Sequence, residues 1–90
     1  MKIHDIKCVQ PYFEMLWDDK KPVEIRKNDR DYKPGDLLLQ REYTTVIKSY
    51  AGRYVLCKVD SIMIPANRYE GLAKDHLMMG ITVIDKGWYW

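Results

Sequence analysis

The chain is poor in the residues that build covalent or metal frameworks. It holds two cysteines and two histidines in 90 residues. Cys8 and Cys57 sit among apolar neighbours at alternating positions, which predicts buried, reduced thiols rather than a disulfide scaffold. Together with His4 and His76 they have the ligand chemistry for zinc, but their spacings match no zinc pattern. No metal and no cofactor are expected. Long apolar runs are also lacking. Met1-Lys2-Ile3-His4-Asp5 is polar where a signal peptide would be apolar, and no stretch approaches a membrane span. The expectation is a cytoplasmic chain with no membrane partner. A strong charge imbalance is missing too: the net charge is +2. That value neither demands nor excludes nucleic acid, because local excess matters more than the total. There are no internal repeats, low-complexity tracts or linkers.

What is present is core material. Hydrophobic residues make up 47% of the chain, with three Trp, seven Tyr and one Phe. That suffices for one ordered domain spanning residues 1–90 and leaves no room for two. Ile3, Asp5 and Lys7 alternate with His4, Ile6 and Cys8, as in a short strand. Pro11 suits the first position of a helix, on which Phe13, Leu16 and Trp17 form one apolar stripe. Strands are expected at Val23 to Lys27 and Asp36 to Tyr43, the latter buried on both faces at its start. A hairpin turn is expected at Gly52, then a long strand from Arg53 to Ile64 ended by Pro65. Asn67 and Glu70 have capping-box spacing for a second helix carrying Leu72, Ala73, His76 and Leu77, with Gly80 as its C-terminal cap. Ile81 to Asp85 is a fifth strand, Lys86-Gly87 a turn, and Trp88-Tyr89-Trp90 the end. Short connections after residue 22 favour antiparallel pairing. The expected fold is α+β: a small, mostly antiparallel, five- to six-stranded pseudo-β-barrel with about two helices.

The most informative stretch is Lys20 to Asp36, with six Lys/Arg against four acids. Val23 and Ile25 alternate with Glu24 and Arg26, which reads as a half-buried strand with a charged outer face. A solvated face with mutual ion pairs is the plain explanation of such a run. Pro34-Gly35-Asp36 is a turn.

Lys21-Pro22-Val23-Glu24-Ile25-Arg26 resembles the ASCH domains of the PUA-like superfamily. Their signature is Gly-x-Lys-x-x-Glu, often followed by x-Arg. Lys21, Glu24 and Arg26 match it, and Asp19 stands at the Gly position. Met1-Lys2-Ile3-His4, Tyr12-Phe13-Glu14, Glu24 to Asp31, Gly35-Asp36, Arg41-Glu42-Tyr43 and Gly52-Arg53 look more specifically like small bacterial and phage proteins of the domain of unknown function DUF3850. That likeness covers roughly the first 55 residues. The resemblance implies a pseudo-barrel whose Lys/Glu loop lines a cleft between barrel and helix, with RNA or a modified base as ligand.

Each residue of the motif has chemistry suited to such a ligand. Lys21 is a mobile point charge for a phosphate or carbonyl oxygen. Arg26 can grip a phosphate or purine edge with two N–H groups. Glu24 can hold either cation or accept from a base amino group. Lys27, Arg30 and Lys33 could hold a backbone, and Trp17 or Tyr32 could stack on a base, although core packing explains Trp17 as well. Asn28, Asp29, Arg30 and Asp31 are expected to tie down their connection through local turns and ion pairs. Trp88-Tyr89-Trp90 offers a stacking surface, or a cover for the barrel end or a dimer contact. Charge reversal at Lys21 or Arg26 should weaken binding without unfolding the domain.

Two other classes compete. Some proteins of the resembled fold are small amidohydrolases acting on N4-acylated cytidines, which would give Lys21, Glu24 and Glu70 catalytic roles. Those enzymes carry Thr at the position of Glu24, so the expected nucleophile is missing here. The third class is a protein-interaction module. The leading expectation is a monomer or weak homodimer that binds RNA or a modified nucleotide.

Overall fold

The computed structural model describes residues 1–89. In chain order it contains β1 (Ile3–Cys8), α1 (Tyr12–Trp17), β2 (Val23–Lys27), β3 (Leu37–Thr44), β4 (Ser49–Pro65), a 3-10 turn (Ala66–Arg68) and β5 (His76–Trp88). The strands form one sheet in the order β1-β3-β4-β5-β2. β1 runs parallel to β3, and the other three pairings are antiparallel. β4 and β5 slip register between Leu56 and Cys57 and again between Val59 and Met63. Such bulges bend and twist a ribbon, and the sheet curls into a half-barrel. Its two edge strands, β1 and β2, come to face each other. The α+β, mostly antiparallel architecture is therefore the one the pattern implied.

Inside the curl, Ile6, Leu38, Val55, Cys57, Val59, Leu77, Met79 and Ile81 are buried, and α1 seats Phe13 and Leu16 on them. β1 follows its alternation, with His4, Ile6 and Cys8 inward. β3 also alternates, burying Leu38, Gln40 and Glu42. Its polar end is thus turned inward instead of leaving the core.

Three expectations are corrected. The β3–β4 hairpin turns before Ser49, with Lys48 at φ 52°, and Gly52 lies within β4 at φ 102°. Glycine supplies a positive φ there, but for a bulge: Arg41 pairs with Tyr54 while Tyr43 pairs with Tyr50. The second helix does not form. Only Ala66–Arg68 makes a 3-10 turn without a side-chain cap, and Gly71 at φ 97° and Asp75 at φ 61° break any continuation. His76 to Gly80 instead pairs with β2, with Leu77 and Met79 facing inward. Pairing with a partner strand outweighs the weak helical preference of a short segment interrupted by glycine. Consequently Gly80 is no helix cap, and Lys86-Gly87 continues the strand.

Two polar clusters, the first buried and the second partly buried, hold the frame. In the first, His4 Nε2 lies 2.8 Å from Asp36 Oδ2, which also accepts the Lys33 amide at 3.0 Å, while Asp36 Oδ1 accepts the Lys2 amide at 3.0 Å. In the second, Arg53 donates to both oxygens of Glu42 at 2.8 and 3.0 Å and to Glu14 at 2.8 Å. Its guanidinium lies 4.8 Å from the Trp17 ring centre and 5.1 Å from that of Phe13. Gln10 donates to Glu42 and accepts the Glu14 amide. Arg53 thereby pins α1 to the β3–β4 hairpin.

Both clusters have measurable consequences. Burial alone would raise the Asp36 carboxyl, but His4 and the two amides overcome it and hold its pKa at about 2, below the ordinary 3.8. A lowered folded-state pKa stabilises the fold above pH 3.8, and that contribution disappears as pH falls through about 2. Acid titration followed by circular dichroism should show this loss, and Asp36→Asn should flatten it. Arg53→Met should leave Glu42 without its counter-ion and lower stability by about 2–4 kcal/mol, read by urea denaturation.

Candidate functional site

The site begins where α1 ends. Asp19 adopts φ 56°, filling the left-handed role that a glycine would take, and the Lys20 amide closes back on the Met15 carbonyl at 2.8 Å. This reversal delivers Lys21 to the start of β2. β2 then reverses the facing its pattern suggested. Glu24 is only 4% exposed, whereas Val23 and Ile25 are 38% and 52% exposed. The solvated-face explanation fails for Glu24, because the carboxylate is satisfied inside.

Its partners come from both sides. Lys21 Nζ donates to Glu24 Oε1 and, at 3.0 Å, to the Val23 carbonyl. Arg26 Nε donates to Glu24 Oε2 at 2.7 Å. Arg26 Nη2 continues across the gap to the Lys7 carbonyl of β1 at 2.9 Å and to Gln40 Oε1 at 3.2 Å. Arg30 Nη1 reaches the Asp5 carbonyl of the same edge at 2.9 Å. No backbone ladder joins β1 to β2 in the described sheet. Two guanidinium groups bridge the seam.

Beside the bridge lies a cavity of about 610 Å³ between β1, α1 and β2. Its lining includes Cys8, Tyr12, Met15, Lys21, Glu24 and Arg26. Tyr12, one of the lining residues, is 54% exposed. The volume falls within the ~300–1,000 Å³ usual for small-molecule sites, and apolar walls around a few polar groups are the usual composition. Burial, reinforced by Glu24, pushes the Cys8 thiol up to about 11, and Cys57 rises to about 12 for the same reasons. Both thiols are protonated at neutral pH and are poor nucleophiles or metal ligands. Among the described residues, no group of three or more metal-binding side chains comes together. No helix there is long and apolar enough to cross a membrane.

Of the residues singled out from sequence, Lys21, Glu24 and Arg26 converge on this cavity. Lys27 is exposed at the end of β2, and Lys33 is exposed with Asp31 at 3.5 Å. Tyr32 is buried, its ring 4.6 Å from His4, so the ring open to the cavity is that of Tyr12. Glu70 is exposed between the 3-10 turn and β5 and does not line the cavity. Trp17 packs against Phe13 and the core. Trp88 and Tyr89 are partly exposed, and Trp90 lies outside the described residues. Sequence reasoning missed Tyr12, Met15 and Cys8 as cavity walls. The alternation of β1 already turned Cys8 inward, but only the β1–β2 juxtaposition makes it part of a site.

The fold and cavity define a small α+β half-barrel with a side-chain-bridged seam. The sequence profile of the domain of unknown function DUF3850 matches residues 3–81, and the chain belongs to that family. The match extends past the first 55 residues into β5. The chain is also 30% identical over 79 residues to a protein of Escherichia phage P2, described as an uncharacterized 12.9 kDa protein in the GpA 3′ region. That alignment covers 88% of this chain and 71% of the phage protein.

The bridge makes Arg26 structural as well as chemical, so charge reversal there would disturb the fold. Arg26→Gln should leave the Lys7 carbonyl and one Glu24 oxygen without donors and lower stability by about 1–3 kcal/mol. Lys21→Gln should cost less, because Arg26 still neutralises Glu24. Thermal and urea unfolding of the two variants checks this order.

Proposed function

We propose that this chain is an ASCH/PUA-like module that binds RNA or a modified nucleotide, admitting one base to the cavity between β1, α1 and β2. The observation that carries the reading is the buried Glu24 carboxylate, held between two cations in an apolar-walled cavity. A carboxylate oxygen that accepts one bond keeps capacity for another. Glu24 can therefore accept from an exocyclic amino group while Lys21 donates to a neighbouring carbonyl. Arg26 Nε and Nη2 are engaged, and Nη1, without a bond among the described residues, can donate to a ligand oxygen. The Tyr12 ring and Met15 supply the apolar surface against which a planar base can lie, a stacking contact worth about 1–3 kcal/mol.

Binding is favoured over hydrolysis by the position of Glu70. An amidohydrolase built on Lys21 and Glu24 would use a second carboxylate at the substrate, and Glu70 is absent from the cavity lining. The Cys8 thiol does not offer a replacement nucleophile, because it is protonated at neutral pH.

The test is fluorescence anisotropy of a labelled mixed-sequence single-stranded RNA, with single-stranded DNA and duplex controls, at several salt concentrations. Salt-dependent binding that prefers RNA is expected, with a slope of about 0.7 per phosphate contacted. Lys21→Ala should weaken it about tenfold with little change in thermal stability, a loss of roughly 1.4 kcal/mol. Binding by Lys21→Ala equal to that of the unaltered chain would overturn the assignment. So would failure to bind any polymer or nucleoside at low salt.

A further inference from the structure

A second depression of about 510 Å³ adjoins the cavity, and Lys7 and Arg26 line both. It crosses the outer surface of β1 and β3, and its lining includes Asp5, Lys7, Arg26, Arg30, Arg41 and Tyr50. The charge balance is one-sided. Arg41 Nε is bound to Asp5 Oδ1 at 2.7 Å, and Arg26 is neutralised by Glu24. Arg30 reaches only a backbone carbonyl, and Lys7 makes no ion pair among the described residues. Two cations are therefore left without a counter-charge.

The same surface presents aromatic rings. Lys7 Nζ lies 4.5 Å from the centre of the Tyr43 ring, and the Arg41 guanidinium 3.9 Å from that of Tyr50. Register explains the arrangement. Lys7 is paired with Arg41 across β1–β3, and Tyr43 with Tyr50 across β3–β4, so these side chains share one face. A guanidinium lying over a ring extends the flat π surface on which a base can stack. Uncompensated cations beside such platforms are what a single-stranded nucleic acid requires: charge for its phosphates and a π surface for its bases.

Resting on the cavity reading above, we propose that the ligand is a single-stranded polynucleotide rather than a free nucleotide, with the chain flanking the inserted base laid across β1 and β3. Lys7 and Arg30 take phosphates, and the Arg41–Tyr50 pair stacks on the neighbouring base. Lys7 and Arg26, shared by the two depressions, mark where the chain passes from the surface into the cavity. RNA and DNA share this chemistry, and parallel titrations with both separate them.

The experiment compares a nucleoside 5′-monophosphate with mixed-sequence oligomers of about eight nucleotides, RNA and DNA, by calorimetry and anisotropy. The unaltered chain should bind an oligomer at least tenfold more tightly than the monophosphate. The double substitution Lys7→Gln, Arg41→Gln should remove most of that advantage. It should also lower the salt slope for RNA by about 0.7 for the one phosphate that Lys7 is assigned. Monophosphate binding should persist in the single variant Arg41→Gln, whose side chain does not line the cavity, and be weakened about tenfold in Lys21→Ala. A 4-thiouridine-containing oligomer irradiated with the unaltered chain should crosslink to Tyr50 or Tyr43, a readout independent of any variant's stability. Equal affinity for oligomer and monophosphate, or crosslinks confined to the cavity, would overturn the surface track and leave the cavity reading intact. Oligomer binding that depends on Lys7 and Arg41 but ignores Lys21 would support the track and overturn the cavity.

Discussion

The seam between β1 and β2 is the constraint on which the structure turns. A sheet that curls this far must either pair its last two edges or satisfy their backbone groups another way, because an unpaired edge is a template for other chains. Here the carbonyls of Asp5 and Lys7 accept from Arg30 and Arg26. A guanidinium is longer than a strand-to-strand hydrogen bond, so the bridge holds the edges apart as well as together. The cavity is the space that this spacing leaves. Had β1 and β2 paired directly, at the usual separation of about 4.8 Å, there would be no room between them for a ligand.

Glu24 follows from the same geometry. Arg26 can bridge inward only if its charge is balanced there, and a buried cation without a partner is strongly unfavourable. Glu24 supplies the balance, and Lys21 takes its second oxygen. The exposure of Val23 and Ile25 is the other side of that choice: a period of two cannot bury the carboxylate and its apolar neighbours on the same face. This is also why hydrophobic alternation misled at β2. It located the strand correctly and assigned its faces the wrong way round, because the rule weighs apolar burial and is blind to a carboxylate that its own neighbours Lys21 and Arg26 satisfy inside.

Legibility elsewhere follows a similar division. Elements set by local pattern were readable: the β1 alternation and the Phe13 and Leu16 stripe of α1. Features set by distant partners were not. Asn67 and Glu70 have capping-box spacing, yet β2 needed a partner and took His76 to Gly80. Gly52 signalled a positive φ, but whether that φ served a turn or a bulge depended on Glu42 waiting across the ladder for Arg53. Within the site, Lys21, Glu24 and Arg26 were readable as a trio, whereas the walls and the bridge to Lys7 required the fold.

The two guanidinium clusters divide the work of holding this small domain. Arg53 lies near the Phe13 and Trp17 rings and is bidentate on Glu42, with further bonds to Glu14, so four of its five N–H groups are engaged and it serves packing of α1 on the hairpin. Arg26 has the same kind of carboxylate partner but borders open space, with Nη1 free of any bond among the described residues. One arginine has spent most of its hydrogen-bonding capacity on the fold, and the other keeps more of it at the cavity wall. Because Arg26 spans both edges, a ligand that engages Nη1 and rests on Tyr12 touches the bridge, β2 and α1 together. By mass action such a ligand must also stabilise the closed seam, which couples occupancy of the cavity to the integrity of the half-barrel.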